Sequence, residues 1–243
     1  MFYSNELTAI LGASGSGKTT LLNILAGYTS SGVSGSIRIN GMPRNMQTFH
    51  KLTAYIMQDD LLQPYLNVEE LLTIAAKLKL GDRASLQEKS AAVNEIIKLL
   101  GLEKCLETRT EYLSGGEKRR VTIALEMVSN PPVIFLDEPT SGLDTVSAKQ
   151  CINILEKLKG QGKTVICTIH QPSAFMLQQF NQVYFLHDGM CVYNGSTSNL
   201  IPFMSSLGYE CPVTYNPADY SKCVTFTRIS IRHVRCIDDI VNW

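Results

Sequence analysis

Apolar and polar positions follow two rhythms along the chain. Leu7–Leu11 is a short, mainly apolar run bounded by glycine and predicts a buried strand. Lys18 to Ala26 then has helical character and is stopped by Gly27. "SIRIN" at 36–40 alternates apolar and polar residues, the pattern of a half-buried strand ending in an Asn-Gly turn. "TAYIMQ" at 53–58 predicts a further strand. From Asn67 to Val128 the period becomes that of a helix, with no convincing strand. Asn67 with Glu70, and Ser85 with Glu88, have the spacing of capping boxes. Val68, Leu71, Leu72 and Ala75 form one apolar stripe; Val93, Ile96, Ile97 and Leu100 form another, closed by Gly101. Strands resume at 133–137, 164–169 and 182–187, with a helix near Ser147–Leu158 between the first two. These continuous Val/Ile/Leu runs suit a parallel sheet buried on both faces.

At 243 residues the chain is large enough for a packed core, as one large domain or two small ones. Its formal charge is zero, so no global field favours nucleic acid or an anionic membrane, and no nucleic-acid partner is expected. The seven cysteines, Cys105, Cys151, Cys167, Cys191, Cys211, Cys223 and Cys236, include no C-x-x-C pair. Such a set predicts reduced thiols rather than a disulfide framework or zinc site. "MFYSNELTAI" lacks the basic and apolar regions of a signal peptide. The uncharged stretch Thr164–Phe180 carries His170, Gln171, Pro172, Gln178 and Gln179, so no transmembrane helix is expected.

The chemistry begins at "GASGSGKTT", residues 12–20, which fits G-x-x-x-x-G-K-S/T through Gly12, Gly17, Lys18 and Thr19. Glycines let backbone N–H groups turn inward on a phosphate chain, and the helix that follows adds its positive end. Lys18 is expected on the β- and γ-phosphates and Thr19 on Mg²⁺. "VIFLDEP" at 133–139 delivers Asp137 and Glu138 to the carboxyl end of a strand, where open α/β sheets bind ligands. Beside a phosphate loop, Asp137 reads as an Mg²⁺ holder and Glu138 as the general base that polarises a water. Gln58 in "YIMQDD" and His170 in "TIHQP" end strands of the same core, where they are placed to reach the metal and the γ-phosphate respectively. Taken singly, Gln58 reads better as a surface amide and His170 as a structural histidine. "LSGGE" at 113–117 is a second glycine-rich turn; Ser114 and Glu117 also have the spacing of a capping box. "SGLD" at 141–144 follows the acidic pair.

The order phosphate loop, Gln, LSGGE, acidic pair, SGLD, His resembles the nucleotide-binding domain of ATP-binding cassette (ABC) proteins over about residues 6–210. "TAILGASGSGKTTLLNILAG", "YIMQDDLL", "GGEKRRVTIALEMVSNPPVIFLDEPTSGLD" and "NPADY" (216–220) look like the G, or white-type, half-transporters. The stretch around 21–62 looks most like their sterol- and lipid-exporting branch. The resemblance implies an α/β P-loop NTPase, a RecA-like core with a parallel sheet, interrupted by an ABC-type helical subdomain. The core takes residues 1–66 and 129–220, the helical subdomain 67–128, and an atypical tail 221–243. It further implies an ATPase whose ATP is held by Gly12, Ser14, Gly15, Gly17, Lys18, Thr19 and Thr20, with Mg²⁺ on Thr19, Gln58 and Asp137. Glu138, His170 and Gln58 are the implied catalytic set. Two such cassettes pack head to tail, so that Ser114, Gly115, Gly116 and Asp144 of one meet the nucleotide of the other. A membrane domain is the further implied partner, which places the cassette on the cytosolic face of a membrane and makes it a motor for export of a lipid, sterol or other hydrophobic substrate.

Two departures qualify the resemblance. Only eleven residues precede Gly12, so Phe2 and Tyr3 are expected to lie too close to it to act as the aromatic residue that stacks on adenine in relatives. The initial antiparallel strands are also expected to be missing. The basic tail, with Lys222, Arg228, Arg232 and Arg235, matches no family segment and predicts no span. These features keep open a second reading, a truncated ATP- or partner-binding module with weak turnover. A GTPase is disfavoured because no N-K-x-D element is present.

Overall fold

All six residues of β1 (Leu7–Gly12) are buried, because the strand lies inside a sheet covered on both faces. The computed structural model describes residues 2–208. The "NPADY" stretch, the tail at 221–243, and Cys211, Cys223 and Cys236 lie outside the described residues. Cys105, Cys151, Cys167 and Cys191 are free thiols.

From β1 the chain enters α1 (Lys18–Ala26), which ends as the sequence predicts: Gly27 is left-handed and its N–H returns to Asn23 and Ile24 carbonyls. The stretch at 36–40 differs from the expectation. Only Arg38–Ile39 (β2) is strand, paired with Met42–Pro43 (β3) in a separate two-stranded ribbon, and all four residues are exposed. The Asn-Gly turn is present, with φ of 51° at Asn40 and 80° at Gly41. With all four exposed, alternation there buries neither face. Arg44 ties the segment after the ribbon to the core, donating to the carbonyls of Ile24 (2.9 Å) and Leu25 (2.6 Å) at the carboxyl end of α1. A short helix follows, α2 (Met46–Leu52), capped by Asn45, and leads into β4 (Thr53–Ile56). The strand stops at Ile56 and leaves Met57 and Gln58 outside it.

Three helices then occur without a strand: α3 (Val68–Leu80), α4 (Leu86–Leu100) and α5 (Gly115–Met127). Both expected capping boxes form, at Asn67/Glu70 and Ser85/Glu88. The buried line of α4 is Val93, Ile96, Ile97 and Leu100, as its period demands. On α3 the buried line is Val68, Leu72 and Ala76, while Leu71 and Ala75 flank it, one position around the helix from the expected stripe. The chain returns to the sheet through β5 (Val133–Leu136), α6 (Thr145–Gly160), β6 (Thr164–Ile169), α7 (Ala174–Gln179) and β7 (Gln182–His187). It continues into β8 (Met190–Ser196) and α8 (Leu200–Ser206).

The sheet order is β4-β5-β6-β1-β7-β8. All neighbours pair in parallel except β8, an antiparallel edge strand on β7 absent from the sequence-based reading. Strand alternation divides the core. Ile10, Phe135 and Ile166 face α1 with Leu22, Leu25 and Phe49, whereas Leu7, Ala9, Leu11, Ile134 and Leu136 face the larger cluster built with α3 to α6. Register places Leu11 opposite Ile169, Gly12 opposite Leu186, and Leu136 opposite Cys167, so the ends of four strands converge on one edge. Leu136→Ala, at a fully buried position, should lower unfolding free energy by about 2–5 kcal/mol. Leu78→Ala, at a position 77% exposed, should change it by less than about 0.5 kcal/mol; urea unfolding of both variants checks the contrast.

Candidate functional site

The loop leaving β1 is shaped by two glycines. A Cβ at Gly12 would meet the Ser16 hydroxyl and lie 2.5 Å from the Leu186 carbonyl oxygen, so no side chain fits there. Gly17 holds φ at 95° and begins α1 without a side-chain cap. The first N–H groups of any helix lack partners within it, and here the loop, not a cap, stands before them. Ser16 is buried with its hydroxyl unpartnered, and its carbonyl accepts from the Gly189 N–H at 3.2 Å. Ser14, Gly15, Thr19 and Thr20 are exposed on the crest and first turn. Lys18 is buried, and its ammonium donates to the Ala13 carbonyl at 2.9 Å. Burial pulls its pKa below the ordinary 10.5, while the carboxylates of Glu138 and Asp137 pull it back up.

The end of β5 meets this loop directly. Asp137 is buried, and its Oδ1 accepts from the hydroxyls of Thr19 (3.1 Å) and Thr168 (2.5 Å). Glu138 is half-buried in a left-handed conformation, φ 44°, a state costing a non-glycine residue about 1–2 kcal/mol. Its N–H donates to Thr168 Oγ1 at 2.8 Å, and its carbonyl accepts from Ser141 N–H at 3.0 Å. Gln58 is exposed and donates from Nε2 to Ser141 Oγ at 3.4 Å. His170 follows β6 directly and is half-buried at the same edge.

Ser114, Gly115, Gly116 and Asp144 form a second constellation. Ser114 caps α5, with its N–H and hydroxyl donating to Glu117 Oε2 at 2.9 and 2.6 Å and its Oγ accepting from Glu117 N–H at 3.4 Å. Asp144 caps α6 by accepting from Val146 and Ser147 N–H at 3.0 and 3.1 Å. A Cβ at Gly116 would approach Ser147 Cβ to 2.9 Å, so the two helix starts are packed against one another. The structure therefore joins Thr19, Asp137 and Glu138 through Thr168, joins Gln58 to Ser141, and joins the LSGGE turn to the helix after SGLD.

Sequence reading missed two residues that hold these groups. Arg119, 2% exposed, donates from Nη1 to the Met57 carbonyl at 2.8 Å and from Nη2 to the Gln58 carbonyl, and pairs with Asp60 at 3.3 Å. Its helical period places it among Gly116 and Ile123, a detectable sign of a buried cation. Thr168, fully buried, was legible only as a polar residue inside an apolar strand.

A glycine-lined loop between a buried strand and an uncapped helix, with a strand-end acid against its threonine, is the architecture of a P-loop nucleotide-binding core. The comparisons agree. The ABC transporter family model matches residues 1–141. Protein scarlet of Drosophila melanogaster is 42% identical over 88% of this chain and 33% of its own length. Protein white of the same fly is 39% identical over 90% and 33%. ABC transporter G family member 1 of Dictyostelium discoideum is 41% identical over 89% and 28%. The chain spans about a third of the length of the curated relatives it matches. Among solved structures, cbiO1 of Clostridium perfringens, part of the ABC transporter complex cbiONQ, superposes with a TM-score of 0.75 at 24% identity, covering 85% of this chain and 83% of that one. A dimeric bacterial ABC transporter cassette gives 0.68 at 27% identity, covering 81% and 88%. The chain belongs to the ABC transporter family, and its relatives are G family members.

The capping box at α5 carries a testable electrostatic signature. Hydrogen bonds from Ser114 hold the Glu117 carboxyl below its ordinary value of 4.5. A depressed folded pKa contributes stability that is complete above the unfolded value and is lost as pH falls through the folded one. Glu117→Gln keeps the box but removes the charge, so it should cost about 0.3–1 kcal/mol at pH 7, and the difference from the parent chain should shrink below pH 4.5; urea titrations at several pH values measure it.

Proposed function

We propose that the chain is the ATP-hydrolysing cassette of a G-type half-transporter. The observation that carries this reading is the hydrogen bond from Thr19 to Asp137, which brings the first turn of α1 and the acidic end of β5 to one point. The residues fit a magnesium nucleotide. An uncapped helix start and the buried, unpartnered Ser16 hydroxyl suit phosphate oxygens. The oxygens of Thr19, Asp137 and Gln58 are hard donors suited to Mg²⁺.

In this reading Gly12, Ser14, Gly15, Gly17 and Thr20 supply the loop backbone and first turn that wrap the phosphates. Lys18 supplies a buried ammonium to the terminal phosphates, and Thr19, Asp137 and Gln58 hold Mg²⁺. Bound Mg²⁺ neutralises charge on the phosphate oxygens. Glu138 accepts the proton of the attacking water, and His170 touches the γ-phosphate from the end of β6. Ser114, Gly115, Gly116 and Asp144 face the nucleotide of a second cassette packed head to tail. The start of α5 supports that role, because it directs N–H groups outward from an exposed serine. The Ser114 hydroxyl would then exchange its proton's acceptor from Glu117 to phosphate. Closure of two cassettes around ATP, and separation after hydrolysis, would drive a membrane domain through the Gln58 segment. Among the described residues no helix is long and apolar enough to cross a membrane, so that domain is a partner of the described core, which sits at the cytosolic face. A lipid- or sterol-like cargo is proposed on the resemblance of residues 21–62 to the branch that exports such molecules.

Glu138→Gln should lower turnover about 10²–10⁴-fold while nucleotide affinity persists, and Lys18→Ala should weaken nucleotide binding itself. Phosphate release and titration with a fluorescent ATP analogue test both; unchanged turnover in the Glu138 variant rejects its assignment. Ser114→Ala should leave the first ATP bound but abolish cooperative hydrolysis in protein concentration series.

A further inference from the structure

Thr168 opens the "TIHQP" stretch that carries His170 and was given no role there, yet its one hydroxyl touches both carboxylate-bearing residues at the end of β5. It is fully buried, and β6 delivers it to the same side of the sheet as Ile166, the side that faces α1. The direction of each bond is dictated by chemistry. A backbone N–H only donates, so Glu138 N–H gives its proton to Thr168 Oγ1 at 2.8 Å. The threonine proton is then directed to Asp137 Oδ1, 2.5 Å away, which also receives the Thr19 hydroxyl at 3.1 Å. One side chain thus fixes the Asp137 carboxylate and the main chain of Glu138 together.

The Glu138 bond matters because that residue stands at φ 44°, where a side chain is disfavoured unless the surroundings hold it. The Ser141 N–H holds the carbonyl of Glu138 at 3.0 Å, and Thr168 holds its N–H. Between them they set the direction in which the Glu138 side chain leaves the backbone. We propose that Thr168 is a positioning residue of the ATPase site, whose hydroxyl locks Glu138 into its left-handed turn while holding Asp137 toward Thr19. The proposal rests on the reading of Glu138 as general base and Asp137 as metal holder. In this reading Thr168 acts through Asp137 and Glu138, the two residues its hydroxyl is bonded to.

Valine replaces the hydroxyl with a methyl group of similar size, and serine keeps the hydroxyl while removing the methyl. Thr168→Val in the full chain should lower kcat for ATP by about 10–100-fold, the scale of a small misplacement of a reacting group. The KM and the affinity for a fluorescent ATP analogue should stay within about threefold, well inside the tenfold steps by which a lost binding contact is read. Thr168→Ser should restore most of the rate. In the unliganded chain, amide hydrogen exchange at Glu138 should accelerate at least about tenfold in the valine variant and stay slow in the serine variant.

Equal loss of rate in the serine and valine variants, or collapse of nucleotide affinity together with rate, would assign Thr168 to packing and overturn the proposal. So would unchanged exchange at Glu138. If the valine variant fails to fold, Thr168→Ala compared with Thr168→Ser decides the same points. Glu138→Gln runs alongside. Its retention of full turnover would defeat the reading of Glu138 as base, whereas its inactivity beside a fully active Thr168→Val defeats the Thr168 proposal alone. A parent chain without measurable hydrolysis would count against the functional reading, and the exchange comparison would still decide what Thr168 holds.

Discussion

Asp137 brings a carboxylate to a place only 6% exposed, and such a group is tolerated only where donors replace the water it has lost. Two hydroxyls do so. One comes from Thr19 in the first turn of α1 and the other from Thr168 on β6. That small knot fastens the loop after β1 to the ends of β5 and β6, with β6 lying between β5 and β1 in the sheet. The turn at Glu138 is tied into the same knot, because its N–H donates to the Thr168 hydroxyl.

The rest of the fold can be read as support for this edge. Gly12 lets β1 pass close enough to the Leu186 carbonyl for the loop to bend over the sheet. Arg44 closes the opposite end of α1 by satisfying carbonyls that the helix leaves open. Arg119 fastens α5 to Met57, Gln58 and Asp60, so the helix that starts at Ser114 and the segment that carries Gln58 are joined by one buried guanidinium.

Much of this was legible in the residues. The glycines and lysine of "GASGSGKTT" announce a helix start without a cap, and the structure has one. Ser85-x-x-Glu88 and Ser114-x-x-Glu117 announce capping boxes, and both form. The four-residue apolar run before Asp137 announces a buried strand, which it is. Errors arose where burial depended on something distant. "SIRIN" alternates like a strand with one face inside, but both residues of its strand are exposed. On α3 the expected stripe does pack on the core, Val68 and Leu72 buried with Leu71 and Ala75 beside them, and Ala76 is buried in addition. β8 was invisible since its mixed residues gain order only by pairing along β7.

The sequence by itself determined the elements that are closed by local bonds: helix starts, helix stops, the tight turn, and the identities of the charged and hydroxyl groups available to a phosphate. Those features obey spacings of three or four residues, and spacing is written in the chain. Only the tertiary structure decided which of these groups meet. Thr19 and Asp137 are 118 positions apart, Arg119 and Gln58 61, Thr168 and Asp137 31. Their contacts follow from strand order and register, which are set by how a whole sheet buries its two faces at once.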